Sequence, residues 1–307
     1  MKKATVNLPA SVRQRLLNLA AERQQDFGLL LTRYALERFL YRLSVSPYRD
    51  SFVLKGALLL QLWTEESYRP TRDLDLLGRG VSEPGSKKIF AEVCSQKVEE
   101  DGLTFFTDTI RVERIRDEEE YAGVRVLLEA RLANARIPLQ IDVGFGDAIV
   151  PAPEDREYPT LLAFPAPQLR TYSKESVVAE KFEAIVKLGI ANSRMKDFYD
   201  LWALANRFRF ESTTLAAAIE ATFQTRRTTL PVSAPLAFTA DFYDLSSKQT
   251  QWEALLQKSG LKAESSLRDV IESIAAFVMP IVLGILRKDA QTGTWKPGGP
   301  WERSHTI

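Results

Sequence analysis

The chain has almost none of the residues on which nucleophile-based and zinc enzymes depend. Its 307 residues include one histidine, His305, and one cysteine, Cys94. A single histidine argues against Ser-His-Asp and Cys-His catalysis and against histidine-rich zinc sites. With no histidine to activate it, Cys94 is predicted to be a small core residue. Any catalysis must therefore use carboxylates, lysines, arginines or hydroxyls, and carboxylates favour hard ions such as Mg²⁺.

The chain also lacks a large excess of charge of either sign and a long apolar run. The formal net charge is +1, so nucleic-acid binding would have to rest on local patches. The most apolar stretch, residues 274–286, is too short to span a bilayer and contains Pro280. We interpret it as a buried helix broken near that proline. Since the N-terminus has no signal-peptide pattern, we expect a cytoplasmic protein without a membrane partner.

The order of patterns along the chain predicts an α+β fold. Residues 9–45 show helical spacing, and residues 103–143 read as a strand meander. Residues 150–170 hold five prolines and are predicted to form a linker or crossover. Helical patterns dominate beyond it. The predicted domains are therefore 1–170, with a helical lead-in, and 171–307, which is mostly helical.

The hexapeptide Thr71-Arg-Asp-Leu-Asp-Leu76 carries the clearest chemical signal. On a strand, Asp73 and Asp75 would point to the same face, where a cation can offset their repulsion. Asp142 stands in a third apolar-alternating segment, where a lone carboxylate would be costly. If these strands are neighbours, three carboxylates converge on one or two Mg²⁺ ions. A solvated acidic strand face is the alternative.

Two further features near the acidic pair suggest phosphate binding. Lys55-Gly56-Ala57 joins an apolar run to a helical pattern, and glycine there would allow close approach of a phosphate. Arg72 is placed either to bind phosphates or to neutralise the aspartates. An ordinary strand-to-helix turn explains the first feature equally well.

A second cluster of charge lies in the helical half. Lys181 borders the apolar face of a predicted helix, where its ammonium group can reach a triphosphate or pair with nearby acids. Asp197 and Asp200 are three residues apart on the next predicted helix and share a face, from which they could orient Lys181 or a nucleotide. Arg226 and Arg227 are a candidate RNA-backbone contact or a solvated helix end.

Five blocks in this order resemble the AbiEii/AbiGii-type nucleotidyltransferase toxins, which include the MenT toxins. The resemblance covers residues 10–210 and rests on Phe52-Val-Leu-Lys-Gly-Ala, Arg69-Pro-Thr-Arg-Asp-Leu-Asp-Leu, Ile141-Asp-Val-Gly-Phe-Gly-Asp, Ala179-Glu-Lys-Phe-Glu-Ala and Ser193-Arg-Met-Lys-Asp-Phe-Tyr-Asp-Leu.

This resemblance implies a polymerase β-like nucleotidyltransferase core, a mixed sheet with helices, followed by a helical C-terminal half. It implies a toxin of a toxin–antitoxin or phage-defence system that uses Mg²⁺, with Mn²⁺ as an alternative, and a nucleoside triphosphate. Some members modify the 3′ end of tRNA, so an RNA acceptor and a cognate antitoxin are the implied partners. Asp73, Asp75 and Asp142 would bind metal, Lys181 would hold the triphosphate, and Asp197 would match the last acidic motif, with Asp200 beside it.

One departure from the family pattern and several alternatives remain. Gly56-Ala57 stands where the superfamily usually has Gly-Ser, so a hydroxyl donor to phosphate is missing and phosphate binding would be weaker or arranged differently. The acceptor could instead be a protein or a small molecule. The chain could bind nucleotide or antitoxin without catalysis, or be an α/β protein whose acidic pair is merely surface.

Overall fold

A computed structural model describes residues 7–63, 71–81, 85–115, 123–259, 265–289 and 293–303, excepting the side chains of Gln61 and Arg303. The chain forms two compact units. The first comprises Met1–Gly146 with Glu154–Thr171, and the second comprises Asp147–Pro153 with Tyr172–Ile307. The domain boundary predicted after residue 170 stays a prediction.

The first unit begins with helices whose starts are fixed by side-chain caps. Asn7 accepts a hydrogen bond from the backbone N–H of Ala10, and Asp26 accepts one from that of Leu29. Such caps satisfy amide groups that have no partner within the helix. The described helices of this unit are α1 (Leu8–Glu22), α2 (Phe27–Ser44), α3 (Ala57–Trp63) and α4 (Ser86–Cys94).

The first unit also contains a seven-stranded sheet. Its strands are β1 (Phe52–Lys55), β2 (Asp73–Gly78), β3 (Leu103–Ile115), β4 (Gly123–Leu132), β5 (Ala135–Phe145), β6 (Glu154–Glu157) and β7 (Gln168–Thr171). The order across the sheet is β3-β4-β5-β2-β1-β7-β6. Strand β2 runs parallel to β5, and β1 runs parallel to β7, whereas the other pairs are antiparallel. The sheet is therefore mixed, as the sequence predicts.

The prediction of a linker over residues 150–170 is wrong in part. Strands β6 and β7 lie within this stretch and pair with each other. The prolines of the segment all fall outside the two strands, so none removes a ladder hydrogen bond. A proline-rich composition therefore marks the loops around these strands and does not exclude the strands themselves.

The core of the first unit contains a buried acid, Glu37 on α2. Its side chain is fully buried, and its carboxylate lies 3.1 Å from Nε of Arg38. The other carboxylate oxygen accepts a hydrogen bond from the backbone N–H of Leu161 at 2.7 Å. Burial raises the pKa of Glu37 to about 7, against the lowering effect of Arg38. The same physics raises the pKa of the buried Cys94 thiol to about 12, as expected for a core residue.

The second unit is mostly helical. Its described helices are α5 (Lys174–Leu188), α6 (Met195–Arg207), α7 (Ser212–Thr225), α8 (Ala240–Tyr243), α9 (Ser246–Ser259) and α10 (Leu267–Arg287). Three short strands, β8 (Phe210–Glu211), β9 (Gly293–Trp295) and β10 (Trp301–Arg303), form a small antiparallel sheet. The indole N–H of Trp295 donates to the carbonyl of Ala205 at 2.7 Å, and that of Trp301 donates to the carbonyl of Phe277 at 2.8 Å. The segment that carries Trp295 and Trp301 is thus extended and packed.

Helix α10 corrects another prediction, because it continues through Pro280 without a break. Phe277 and Ile281, on either side of the proline, are buried, so packing of the apolar face offsets the hydrogen bond that proline cannot donate. Within the described residues, α10 is the one helix long and apolar enough to cross a membrane. Half of its most apolar stretch is buried, and the core helix of a soluble protein satisfies the same criterion. The two units together confirm the α+β prediction of a mixed sheet followed by a helical half.

Candidate active site

The predicted aspartates lie together on one face of the central strands. Strands β2 and β5 pair in parallel with Asp75 directly beside Asp142, and Asp73 stands beside Gln140. Side chains two residues apart on a strand share a face, so Asp73, Asp75 and Asp142 point to the same side of the sheet. All three are partly exposed. The expectation that the two strands are neighbours is therefore confirmed.

The glycine of the predicted phosphate turn lies against this acidic face. Lys55, at the end of β1, pairs in register with Asp75, and Gly56 follows it with φ +74°. A β-carbon built on Gly56 would overlap the Asp75 carboxylate. Glycine is required here both for the positive φ and for the space that the carboxylate occupies. Ala57, the last residue of this turn, is buried.

A residue that sequence reasoning missed, Arg125 on β4, holds Asp142. Its Nε donates to Asp142 Oδ1 at 2.9 Å and its Nη2 donates to Oδ2 at 2.8 Å. Hydrogen bonding to Asp142 raises the pKa of Arg125, and the charge of Asp73 contributes. The sequence signal for this pair was the β4–β5 hairpin. A two-residue turn at Ala133-Asn134 brings position 125 opposite position 142.

The carboxylates fit a divalent cation through their donor chemistry. Within the described residues, no group of three or more histidine, cysteine or acidic side chains is arranged so that it could hold a metal ion. Asp73 and Asp75 nevertheless supply hard oxygen donors on an open face. Mg²⁺ is commonly held by one or two carboxylates and completes its coordination with water and substrate phosphates. The pair suits such an ion, whereas both oxygens of Asp142 already bind Arg125.

The predicted residues of the helical half form a buried ion cluster within the second unit. Nζ of Lys181 donates to Asp197 Oδ1 at 2.8 Å and lies 2.8 Å from Asp200 Oδ2. The side chain of Lys181 is 14% exposed, that of Asp197 4% and that of Asp200 0%. Arg194 adds an ion pair to Asp197 at 2.7 Å. Both predicted acids therefore contact Lys181, and the prediction that they orient it or a nucleotide stays a prediction.

Arg226 fits neither of the two roles predicted from the sequence, an RNA-backbone contact and a solvated helix end. Its guanidinium lies 2.8 Å from Asp147, 2.9 Å from Glu183 and 3.5 Å from Glu180. Although burial lowers the pKa of Arg226, these carboxylates raise it on balance. The residue is an internal ion-pair centre of the second unit, which argues against both a solvated helix end and an RNA contact. Arg227 is exposed.

The last predicted residue, Arg72, lies at the edge of the acidic face. It precedes β2, is 67% exposed and has Nη2 3.4 Å from Asp26. Its exposure leaves its guanidinium accessible to a ligand. Arg69, the other arginine of the motif, lies outside the described residues.

An acidic strand face with a glycine turn beside it, in a mixed sheet followed by helices, is the architecture expected of a nucleotidyltransferase. The model of the family described as "Nucleotidyl transferase AbiEii toxin, Type IV TA system" matches residues 38–274. The chain belongs to this family. It is therefore a nucleotidyltransferase of a toxin–antitoxin family, which implies a nucleoside triphosphate substrate, a cognate antitoxin and, as is usual for such enzymes, a divalent metal.

Two solved structures are similar to this chain at low sequence identity. One is the crystal structure of a proposed nucleotidyltransferase from Helicobacter pylori, 14% identical, with a TM-score of 0.49, covering 84% of this chain and 96% of its own. The other is the protein JHP933 from the same organism, 14% identical, with a TM-score of 0.49, covering 85% and 94%. No curated protein matches the sequence significantly.

Proposed function

We propose that the chain transfers a nucleotide from a nucleoside triphosphate to an RNA acceptor, the 3′ end of tRNA, in a Mg²⁺-dependent reaction in the cytoplasm. The observation that carries the proposal is the register that places Asp73, Asp75 and Asp142 on one exposed face of β2 and β5. Arg125 and Lys55 offset part of this negative charge, and a divalent ion at Asp73 and Asp75 would offset the rest. The tRNA acceptor follows from the resemblance to toxins that modify tRNA ends.

Each residue has a proposed part in the transfer. Asp73 and Asp75 would hold the divalent ion, which would supply positive charge to offset the charge that develops during transfer. The acceptor 3′-oxygen forms a bond to the α-phosphorus while the bond to the pyrophosphate oxygen breaks. The hydroxyl proton passes to a carboxylate of this face. The Lys55-Gly56-Ala57 turn and Arg72 bind phosphate oxygens.

Lys181 is the residue proposed to hold the triphosphate on the second unit. Its two aspartate partners, Asp197 and Asp200, fix the position of its ammonium group. In this proposal they are positioning residues that keep Lys181 charged and oriented. Such preorganisation lowers the cost of binding a polyphosphate.

The test is a transfer assay with purified protein, Mg²⁺, each labelled nucleoside triphosphate in turn, and total tRNA. Asp75→Asn is assayed in parallel, with Asp108→Asn, an exposed aspartate of β3, as the matched control. We expect label on tRNA with the unmutated chain and with Asp108→Asn, and none with Asp75→Asn or with a chelator. Full transfer by Asp75→Asn would overturn the proposal.

Two other outcomes would redirect it. Label on a protein or a small molecule, with none on RNA, would keep the chemistry and replace the acceptor. Nucleotide binding without turnover on any acceptor would indicate a protein that binds nucleotide or antitoxin without catalysis. An antitoxin partner is tested separately, by co-expression of the neighbouring gene with the toxin and measurement of growth.

A further inference from the structure

Four charged side chains form a row across four neighbouring strands. Arg125 on β4 pairs in register with Asp142 on β5, Asp142 with Asp75 on β2, and Asp75 with Lys55 on β1. The order of charges along this cross-strand row is therefore positive, negative, negative, positive. Residues opposite each other on adjacent strands point to the same face. The two aspartates are thus flanked by a cation at each end.

The contact at the arginine end is the better defined of the two. Arg125 binds both oxygens of Asp142 through two parallel hydrogen bonds, at 2.9 Å and 2.8 Å. The side chain of Asp142 is 20% exposed and that of Arg125 is 39% exposed. This forked geometry is the strongest form of an arginine–carboxylate pair. A divalent ion could bind Asp142 only at the lone pairs that the fork leaves unused, close to the positive charge of the guanidinium.

The charge balance of the face favours one divalent ion in the free protein. Asp73, Asp75, Asp142 and Glu113, the residue of β3 that pairs in register with Arg125, contribute four negative charges, and Lys55 and Arg125 contribute two positive charges. The excess is two negative charges, which a single divalent ion balances. A second ion would make the face positive, with the Arg125 guanidinium beside it. A negatively charged polyphosphate would have to accompany it.

We propose that Arg125 is the resident cation of Asp142 and restricts the free protein to one divalent ion, held by Asp73 and Asp75. In nucleotidyltransfer with two metals, Arg125 then determines when the second ion binds: after the nucleotide has brought its negative charge. Arg125 is a positioning residue in this inference, because it acts through Asp142. The inference rests on the metal site of the proposed function.

The experiment is a titration of Mn²⁺ into the full chain without nucleotide, with the unbound ion measured by electron paramagnetic resonance. Arg125→Ala is compared with Arg131→Ala, which removes an arginine from the same face of β4. Arg131 is a suitable control because it is 46% exposed and pairs with a different acid, Glu129. The titration reads ion number and affinity directly and needs no transferase activity.

We expect one ion for the unmutated chain and for Arg131→Ala, and two for Arg125→Ala. The second ion should bind to Arg125→Ala at least about tenfold more tightly than any further ion binds to the unmutated chain, because a positive charge beside the site is removed. Adding Asp142→Asn to Arg125→Ala should abolish that gain. Retention of the first ion shows that the variant is folded. If it is not, Arg125→Lys, which keeps the charge without the fork, should show a smaller gain in the same titration.

The contrary outcomes separate this inference from the proposal on which it rests. One ion in both Arg125→Ala and the unmutated chain, or two ions in the unmutated chain, would overturn the role of Arg125 and leave the metal site standing. No ion in the unmutated chain, with Asp75→Asn unchanged from it, would remove the metal site itself. Transfer without any effect of Arg125 on metal binding would sustain the proposed function alone.

Discussion

The two charged clusters of this enzyme are built from the same residue types. They differ in whether a ligand can reach their charged side chains. On the sheet of the first unit, Asp73 and Asp75 stand partly exposed on an open face. On the helices of the second unit, Lys181 is held by Asp197 and Asp200, whose side chains are buried. The sheet cluster has an excess of negative charge, whereas Lys181 and Arg194 balance the two acids of the helical cluster.

The difference follows from secondary structure. A strand presents alternate residues on one flat face, so carboxylates of neighbouring strands are displayed together toward solvent. Two packed helices instead direct i and i+3 side chains into the space between them, where an ion must have a partner. The sheet cluster is therefore suited to exchanging ligands, and the helical cluster to fixing one cation in place.

The largest effect expected is on activity, from Asp75→Asn on the sheet face. Loss of one metal ligand should lower the transfer rate roughly 10³-fold, because stabilisation of the transition-state charge is lost. Since Asp75 is partly exposed, the free energy of unfolding should change by less than about 1 kcal/mol. Rate assays and urea unfolding of the same preparation measure both. A large loss of stability with Asp75→Asn would show that the sheet cluster is structural.

Lys181→Met should have its main effect on stability, in contrast to Asp75→Asn. It leaves Asp197 and Asp200 buried without their shared cation, which costs about 3–5 kcal/mol in free energy of unfolding. Lys187→Met, an exposed change on the same helix, should cost less than about 0.5 kcal/mol. Urea unfolding compares the two. Equal stability of the two variants would contradict the closed character of the helical cluster.

Glu37 tests whether a buried charged residue of the first unit likewise affects the free energy of unfolding. Its pKa is raised to about 7 by burial, so the folded state retains a proton that the unfolded state has released above pH 4.5. Stability from this group is complete below pH 4.5 and is lost as the pH rises through 7, by on the order of 3 kcal/mol.

The measurement is the free energy of unfolding of the unmutated chain minus that of Glu37→Gln, at pH 5 and at pH 8. Glutamine keeps an acceptor for the backbone N–H of Leu161 and cannot ionise. The difference should fall as the pH rises. A difference that stays constant would mean that Glu37 titrates as an ordinary surface acid.

The open cluster was largely predictable from the sequence, and the closed one only in outline. Asp73 and Asp75 share a face on any strand, whatever it pairs with. The position of Asp142 beside Asp75 depends on strand order, and the pairing of Arg125 depends on a hairpin register set at Ala133-Asn134. Lys181 could be assigned to a helix, but its burial and its choice of aspartates depend on how α5 and α6 pack.

The errors have a common physical origin in tertiary structure overriding local preference. Pro280 is a helix breaker by its missing N–H, yet α10 continues because residues on both sides of it are buried. Strands β6 and β7 are four residues each, too short for alternation to reveal among prolines. The helices and strands predicted from period were largely correct, whereas the two errors concern segments whose structure depends on packing against other parts of the chain.

The smallest effect in this series concerns the close approach of Gly56 to the Asp75 carboxylate. Gly56→Ala and Gly80→Ala both place a side chain at positive φ, +74° and +67°. Only at Gly56 would the new methyl group overlap the Asp75 carboxylate, because nothing lies within 4 Å of a β-carbon at Gly80. Each variant should lose about 1 kcal/mol from the positive φ, and Gly56→Ala should lose about 1–2 kcal/mol more.

The pair also separates backbone strain from site geometry. Displacement of Asp75 by the Gly56→Ala methyl should weaken Mn²⁺ binding and slow transfer, whereas Gly80→Ala should leave both unchanged at a temperature where it is folded. Thermal unfolding, Mn²⁺ titration and the transfer assay on both variants check this. Equal metal affinity in the two would mean that Asp75 has room to move aside and still bind the ion, so the glycine would serve the turn alone. Weaker affinity in Gly56→Ala alone would tie the Lys55-Gly56-Ala57 turn to the metal site through Asp75.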